Sequence, residues 1–373
     1  MKQLGIVGGG QLGRMMAVPA AQLGFDVTVL DPTPNSPAGQ VATQVVGDFK
    51  DAEAVRSFGA GKDFLTFEIE LAHAEVLSEL QKQGVAVNPD PATLAIIKDK
   101  LKQKEYLQKL GVPVADFRKV ESRPDLETAA ADFGYPFVLK SRAGSYDGRG
   151  NARINTEKDM DEALEKLGST GLYAERFVAF KKELAIMVAR GSDGTLATYP
   201  LVESVHERDI LQHILVPASV EQAVEEKAAA FAQTVISHFD GAGVFGIEMF
   251  LAESGEVMIN EIAPRVHNTG HFTIEANRTS QFEQHIRAVT QLPLGDTSMQ
   301  VPAAAMVNIL GEREGPAEVK GLERALDIPG VSVHIYGKAQ TKVDRKMGHI
   351  TAVADTADTA LVAAQTARKS ITI

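Results

Sequence analysis

The strongest constraint on the fold of this chain is the rhythm of its first hundred residues. Short apolar runs at Leu4–Val7, Val27–Leu30, Val45–Val46 and Phe64–Phe67 alternate with segments of helical period. In Gln11–Leu23, for example, Leu12, Met15, Met16 and Ala20 share one face. Strand and helix in alternation predict an α/β fold, a parallel sheet with helices on both faces. Between the first strand and helix stands Gly8-Gly9-Gly10-Gln11-Leu12-Gly13, which fits the dinucleotide fingerprint. Asp31 ends the second strand about where an acidic ribose ligand is expected. Taken alone, this region predicts an NAD site.

The remaining chain carries a different chemistry. At 373 residues it is too long for one ordinary core. A charged helix over Lys98–Leu110, closed by Gly111-Val112-Pro113, marks the first boundary. Beyond it come helix Leu126–Phe133, strand Phe137–Lys140, helix Lys158–Leu167, strands Leu172–Arg176 and Leu184–Ala189, and helix Glu221–Phe239. Strands Val244–Leu251 and Val257–Ile262 flank a turn at Glu253-Ser254-Gly255-Glu256, and helix Gln281–Thr290 follows. A third region from about Pro293 holds strands Ala304–Ile309, Val331–Ile335 and His349–Val353 and a helix over Asp358–Arg368, with Gly311–Leu326 expected as a surface loop.

Composition narrows the function classes. The net charge of −11, with no basic block, makes nucleic acid and anionic membranes poor partners. With no cysteine there are no disulfides, thiol nucleophiles or thiolate metal sites. Neither a signal-peptide pattern nor an apolar run of about 18 residues is evident. The expectation is a cytoplasmic protein.

Several polar residues interrupt apolar strands. Glu248 sits inside Phe245-Gly246-Ile247-Glu248-Met249-Phe250, and Asn260-Glu261 inside Val257–Ile262. An unpaired buried carboxylate is costly, so Glu248 and Glu261 predict a hard-oxygen site suited to Mg²⁺ completed by phosphates; solvent-facing acids on a hairpin are the alternative. Arg265, His267 and Asn268 crowd the following loop, where anion recognition and proton transfer compete with a plain salt bridge. Lys140 ends an apolar strand and precedes Ser141-Arg142-Ala143-Gly144-Ser145-Tyr146-Asp147-Gly148-Arg149-Gly150-Asn151. This is no Walker A motif, but its glycines and cations suit a nucleotide triphosphate beside an acidic hairpin. Glu175 and Glu183 read equally as ribose ligands or surface charge.

In order along the chain, GGGQLGRM, TFEIE, FVLKSRAGSYDGRGN, ERFVAFKKELA, GIEMF, INEIAPRVHNTGH and DRKMGHI resemble the ATP-grasp superfamily. Within it, nearly the whole chain resembles the N5-carboxyaminoimidazole ribonucleotide synthetase family of purine biosynthesis. The resemblance implies an ATP-grasp architecture: a Rossmann-like N-terminal domain (1–98), a two-lobed ATP-grasp domain of α+β type (99–295, with a central lid at about 113–180) and a small mixed α/β C-terminal domain (296–373). It implies an ATP-dependent ligase that carboxylates 5-aminoimidazole ribonucleotide with bicarbonate through carboxyphosphate, as a homodimer, with Mg²⁺ and without NAD or biotin.

By position, the resemblance assigns ATP to Lys100, Lys140, Ser145, Tyr146, Asp147, Gly148, Arg149, Gly150, Asn151, Glu175, Arg176, Phe177, Val178, Glu183, His206, Asn260 and Glu261. Glu248 and Glu261 match the metal ligands. Glu70, Tyr146, Asp147, Arg149, Arg265, Lys338 and Arg345 match substrate positions, Lys338 and Arg345 for the ribonucleotide phosphate. Arg265, His267 and Asn268 would hold bicarbonate, and Asp147 would partner the substrate amine; these residues, with Lys338 and Arg345, form the expected catalytic set. Gln11 and Leu12 are expected to line the ribonucleotide pocket through their backbone. The chain departs from the family pattern at Leu71, where His is common, at Ser145 (Gly) and at Asn151 (Gln). An NAD-linked oxidoreductase, a non-catalytic nucleotide-binding module, a formate-dependent transformylase and a biotin-carboxylase-like ligase are the alternatives.

Overall fold

The computed structural model describes residues 1–144, 150–168 and 171–373. The N-terminal alternation forms a five-stranded parallel sheet with Gln3–Val7 at its centre. Asp26–Asp31 and Thr43–Val46 lie to one side, and Phe64–Phe67 and Ala86–Val87 to the other. Strand order reverses beside Gln3–Val7, which opens a crevice at the carboxyl ends of the strands, where open α/β sheets bind ligands. Side chains alternate between two cores. Leu4, Ile6 and Val29 pack with Leu12, Met16 and Ala20 of helix Gln11–Gln22. Val7, Leu30, Leu65 and Phe67 pack with Phe58, Leu77 and Leu80.

The charged segment after this sheet is two helices rather than one, Pro91–Ile97 and Lys100–Lys109. Asp99 leaves helical geometry between them, and its carboxylate accepts the Leu101 and Lys102 amides. This cap aims the first turn of Lys100–Lys109 at the site described below. A four-stranded antiparallel sheet follows, in the order Phe117–Val120, Leu172–Arg176, Phe137–Ser141, Asn151–Ile154. Helices Arg123–Phe133 and Asp159–Leu167 bury Leu126, Ala129, Met160 and Ala163 against it.

The third sheet has nine strands. Its path runs Val257–Ala263, Gly243–Ala252, Phe180–Arg190, Val202–Glu207, Ile210–Val216, Ala303–Leu310, Lys346–Ala354 and Val331–Ile335, with Leu196–Thr198 added beside Phe180–Arg190. The middle and C-terminal regions therefore share one continuous sheet, joined where Ile210–Val216 pairs with Ala303–Leu310. The hairpin that makes this join has no sequence signature. Its two turn residues, Arg208 and Asp209, take φ of 51° and 62°, a conformation usually marked by Asn-Gly. The expected loop at Gly311–Leu326 contains short strand Gly315–Pro316, paired with Gln340–Thr341, and helix Leu322–Leu326. Among the described residues no helix is long and apolar enough to cross a membrane.

Helix Gln281–Val289 joins the N-terminal and large sheets. Its His285 is fully buried, takes the Val244 amide on Nδ1 at 3.0 Å and lies 2.8 Å from Thr66 Oγ1 through Nε2. Nδ1 is the acceptor, so the ring is neutral with its proton on Nε2, and burial lowers its pKa to about 3. In the unfolded chain this ring takes up a proton below about pH 6.5, whereas the folded chain does not until about 3. Acid therefore favours unfolding, by up to ~1.4 kcal/mol per pH unit from this group. Urea unfolding should show stability falling from pH 7 to pH 5. A His285→Gln variant should be weaker at pH 7 yet lose stability less steeply, by about one proton; an unchanged slope would contradict the assignment.

Candidate functional site

The site is built around the hairpin of Gly243–Ala252 and Val257–Ala263. Glu248 and Glu261 face each other across the pair, and the register then slips so that Met249 opposes Ile259. Asn260 is the extra residue. This bulge explains how two consecutive polar residues, Asn260 and Glu261, interrupt an otherwise apolar strand without either being fully buried. Burial alone would push the Glu261 carboxyl up, but Lys100 Nζ, 2.9 Å from Oε2, holds it below the usual range. Among the described residues no lysine or arginine pairs with Glu248. Burial and the neighbouring Glu261 charge push its carboxyl up, and His267 Nε2 lies 3.6 Å away. The His267 ring is kept neutral, first by burial and then by Arg265.

The hairpin thus carries an uncompensated carboxylate beside a compensated one. Among the described residues no three His, Cys, Asp or Glu side chains converge as a self-sufficient metal site. Two carboxylates with phosphate oxygens completing the shell is the arrangement Mg²⁺ favours, and the unneutralised Glu248 fits that role.

Helix Lys100–Lys109 supplies the cations through one face. Gln103 stitches it to the sheet edge, accepting the Ile262 amide at 2.9 Å and donating to Ile262 O at 3.1 Å. Lys100 on one side reaches Glu261. Lys104, only 2% exposed, reaches Glu175 Oε2 at 3.0 Å. Lys140 Nζ meets the other oxygen of Glu175 at 2.8 Å. Burial would raise the Glu175 carboxyl, yet the two lysines bring it down to about 2. Lys104 carried no signal when read singly; its spacing of four from Lys100, with Gln103 between, was the available clue.

The loop after the hairpin is held from behind. Gln281, fully buried, accepts the His267 amide at 2.9 Å and donates to His267 O at 2.7 Å. Gly246 makes room for the ring, since a Cβ there would lie 2.5 Å from His267 Cβ. His267 Nδ1 contacts Thr269 Oγ1 at 2.8 Å. Arg265 Nη2 pairs with Glu70 Oε1 at 2.7 Å, while its Nε is buried without a partner. Asn268 leaves both Oδ1 and Nδ2 buried and unpaired. Buried amides are almost always satisfied, so the free Asn268 Nδ2 and Arg265 Nε, three residues apart on one segment, are donors that could serve a small oxyanion.

The other expected residues divide. Glu183 and His206 meet at 2.9 Å; burial opposes the imidazolium, but the Glu183 carboxylate outweighs it and raises the His206 pKa. The Glu175 carboxylate is engaged by two lysines, so it is neither surface charge nor open to a ribose. The Arg176 side chain turns to Asp116, at 2.8 Å, and to the Phe133 carbonyl. What these two can offer a nucleotide is backbone. Phe177 stands exposed with Arg153 over its ring, and Val178 is half-buried. Gly150 O accepts the Ser141 amide, and Asn151 pairs with Lys140 in the small sheet. Ser145, Tyr146, Asp147, Gly148 and Arg149 lie outside the described residues.

Lys338 Nζ donates to Lys346 O at 2.6 Å, and Arg345 donates to Gln340 O at 2.7 Å. Their segment docks on the N-terminal region, where Gln40 Nε2 donates to Gly337 O at 2.7 Å. Gln40 Oε1 in turn takes Arg14 from helix Gln11–Gln22, so Gln11, Leu12 and Lys338 belong to neighbouring elements. Asp31 does not serve as an open ribose ligand; its carboxylate accepts the Gly9 and Thr33 amides at 2.9 and 2.8 Å.

All three regions of the chain resemble known protein families. Residues 1–98 match the ribonucleotide synthetase preATP-grasp domain, 105–282 the ATP-grasp domain, and 304–362 the phosphoribosylaminoimidazole carboxylase C-terminal domain. The N5-carboxyaminoimidazole ribonucleotide synthase of Synechococcus elongatus is 39% identical over 94% of this chain and 89% of its own length. The chain belongs to the N5-carboxyaminoimidazole ribonucleotide synthase family. The phosphoribosylaminoimidazole carboxylase of Ogataea methanolica is 44% identical over 94% of this chain. This chain spans 63 to 66% of the length of that protein and of its counterparts in Candida glabrata and Schizosaccharomyces pombe. The crystal structure of N5-carboxyaminoimidazole synthase from Aspergillus clavatus with ADP and 5-aminoimidazole ribonucleotide has a TM-score of 0.91 at 39% identity, covering 99% of this chain and 98% of that one.

The Lys104–Glu175–Lys140 cluster yields a stability prediction. Removing one partner from a buried ion pair typically costs about 3–5 kcal/mol, whereas removing both charges costs less. Lys104→Met should lower the urea-derived stability by about 3 kcal/mol, and adding Glu175→Met should recover part of that loss. Additive losses would show that the charges are not coupled.

Proposed function

We propose that this family member catalyses the ATP- and bicarbonate-dependent carboxylation of 5-aminoimidazole ribonucleotide, releasing ADP and phosphate. The observation that carries the reading is the unsatisfied Asn268 amide and the unsatisfied Arg265 Nε on the segment that follows the Glu261 strand, with His267 between them 3.6 Å from Glu248. An oxyanion receptor abutting a phosphate-and-metal site is what joining bicarbonate to a γ-phosphate requires. The ligand in the Aspergillus clavatus relative supports the choice of acceptor.

A bicarbonate oxygen attacks the γ-phosphorus, the bond to the ADP oxygen breaks, and carboxyphosphate forms. Loss of phosphate then releases CO₂, and the substrate amine takes it up with loss of one proton, giving the N5-carbamate. The protein's task is positioning and charge neutralisation, since phosphoryl transfer needs no protein nucleophile. Arg265 and Asn268 hold the bicarbonate. Neutral His267 adds no competing positive charge and can hold or pass a proton at Nε2. Lys100 and Lys140 lie where they can move from Glu261 and Glu175 onto phosphate oxygens. Glu248 and Glu261 would hold Mg²⁺, which neutralises charge on the β- and γ-phosphates. Lys338 and Arg345 take the ribonucleotide phosphate. A homodimer and a cytoplasmic setting accompany this reading through the family resemblance.

ADP release should require bicarbonate and 5-aminoimidazole ribonucleotide together; equal release with formate and glycinamide ribonucleotide would refute the reaction. Glu248→Gln should lower turnover by about 10²-fold or more with the melting temperature retained. Asn268→Leu should raise the bicarbonate KM at least about tenfold and leave the ATP KM unchanged. The same variant should not lose stability, because the amide it replaces is desolvated without a partner.

A further inference from the structure

The glycine loop that opens the chain is filled by the protein's own carboxylates. The Gly10 and Gly13 amides donate to the two oxygens of Glu68, and the Gly9 amide donates to Asp31. The glycines fit that guest closely. A Cβ on Gly8 would lie 2.5 Å from Glu68 Cγ, and one on Gly10 would lie 2.6 Å from Oε1. The room they leave is therefore shaped to the Glu68 side chain. Burial pushes the Glu68 carboxyl up, while the amides of Gly13 and Gly10 oppose it. Glu68 continues strand Phe64–Phe67, its amide bonded to Val7 O at 3.0 Å. Two residues later Glu70 holds Arg265 at 2.7 Å. The segment Glu68–Glu70 is thus pinned at both ends, one carboxylate on the start of helix Gln11–Gln22 and the other on the oxyanion loop.

We propose that Glu68 is a resident anion of the glycine loop and a positioning residue for the site: it occupies the amides a dinucleotide phosphate would use and, through Glu70, sets the place of Arg265. The first half stands on the geometry alone; the second rests on the reaction proposed above. Without the carboxylate, the Gly10 and Gly13 amides become an empty anion hole of carboxylate size, and Arg265 loses the anchor of its partner.

The experiment compares wild-type protein with Glu68→Ala in sodium acetate and in sodium chloride at equal ionic strength. Acetate should raise the melting temperature of Glu68→Ala and not that of the wild type. In chloride the variant should show a KM for 5-aminoimidazole ribonucleotide or bicarbonate raised about tenfold or more, with the ATP KM within about twofold, and acetate should recover part of the loss. A folded Glu68→Ala whose melting temperature ignores acetate would overturn the resident anion. An acetate-stabilised variant with wild-type KM values would overturn the positioning role. Should Glu68→Ala fail to fold, Glu68→Gln serves: its amide can accept from one glycine only, so the same KM split is expected, and wild-type kinetics would overturn the proposal. Because the melting readout needs no substrate, acetate stabilisation in a protein whose wild type lacks ribonucleotide-dependent ADP release would uphold the loop assignment and reject the reaction.

Discussion

A single buried carboxylate holds the two halves of the candidate site together. Glu175 comes from the small antiparallel sheet, Lys140 from the neighbouring strand, and Lys104 from the helix laid along the edge of the large sheet. None of the three could be buried alone without a large desolvation cost. Together they satisfy one another, so that the small sheet has one favourable seat over the large one. Lys140 faces the acidic hairpin from that seat, and its charge contributes to lowering the Glu261 carboxyl.

Charge around the hairpin is deliberately unequal. Lys100 compensates Glu261, while Glu248 faces a histidine that burial and Arg265 keep neutral. The resulting negative excess is local, within a chain whose overall charge is also negative. On the segment that follows the second strand, Arg265 Nε and Asn268 Nδ2 are unsatisfied donors. Carboxylates and unsatisfied donors are thus held on consecutive segments of the chain. Gln281, Gly246 and Gln103 produce this by fixing backbone: each touches the site through main-chain contacts or through space left empty.

Much of this was legible in the linear chain. The parallel sheet followed from strand and helix alternation, and the hairpin from two strands around a Gly-containing turn. Glu248 and Glu261 stood out because charge inside an apolar strand demands a reason. Other parts were hidden for definite reasons. The Arg208-Asp209 turn lacks glycine or asparagine, so the hairpin that fuses the middle and C-terminal regions left no mark. Lys104 and Gln281 read as ordinary polar residues on helices, and only their burial reveals their partners. Glu175 was legible as an acid near the site but not as one already paired.

The glycine loop separates the two kinds of information most clearly. Its sequence by itself determined a backbone conformation: closely packed glycines, a helix beginning at Gln11, and amides turned toward an anion, all of which follow from local sterics. Which anion sits there was decided only by tertiary structure, because Glu68 is 55 residues or more from the amides it meets. The same holds across the molecule. Local periodicity determines strands, helices and the oddity of a buried acid, since these are costs paid within a few residues. The identity of each charge's partner depends on which strands the sheets bring side by side, and that is set by packing of the whole chain.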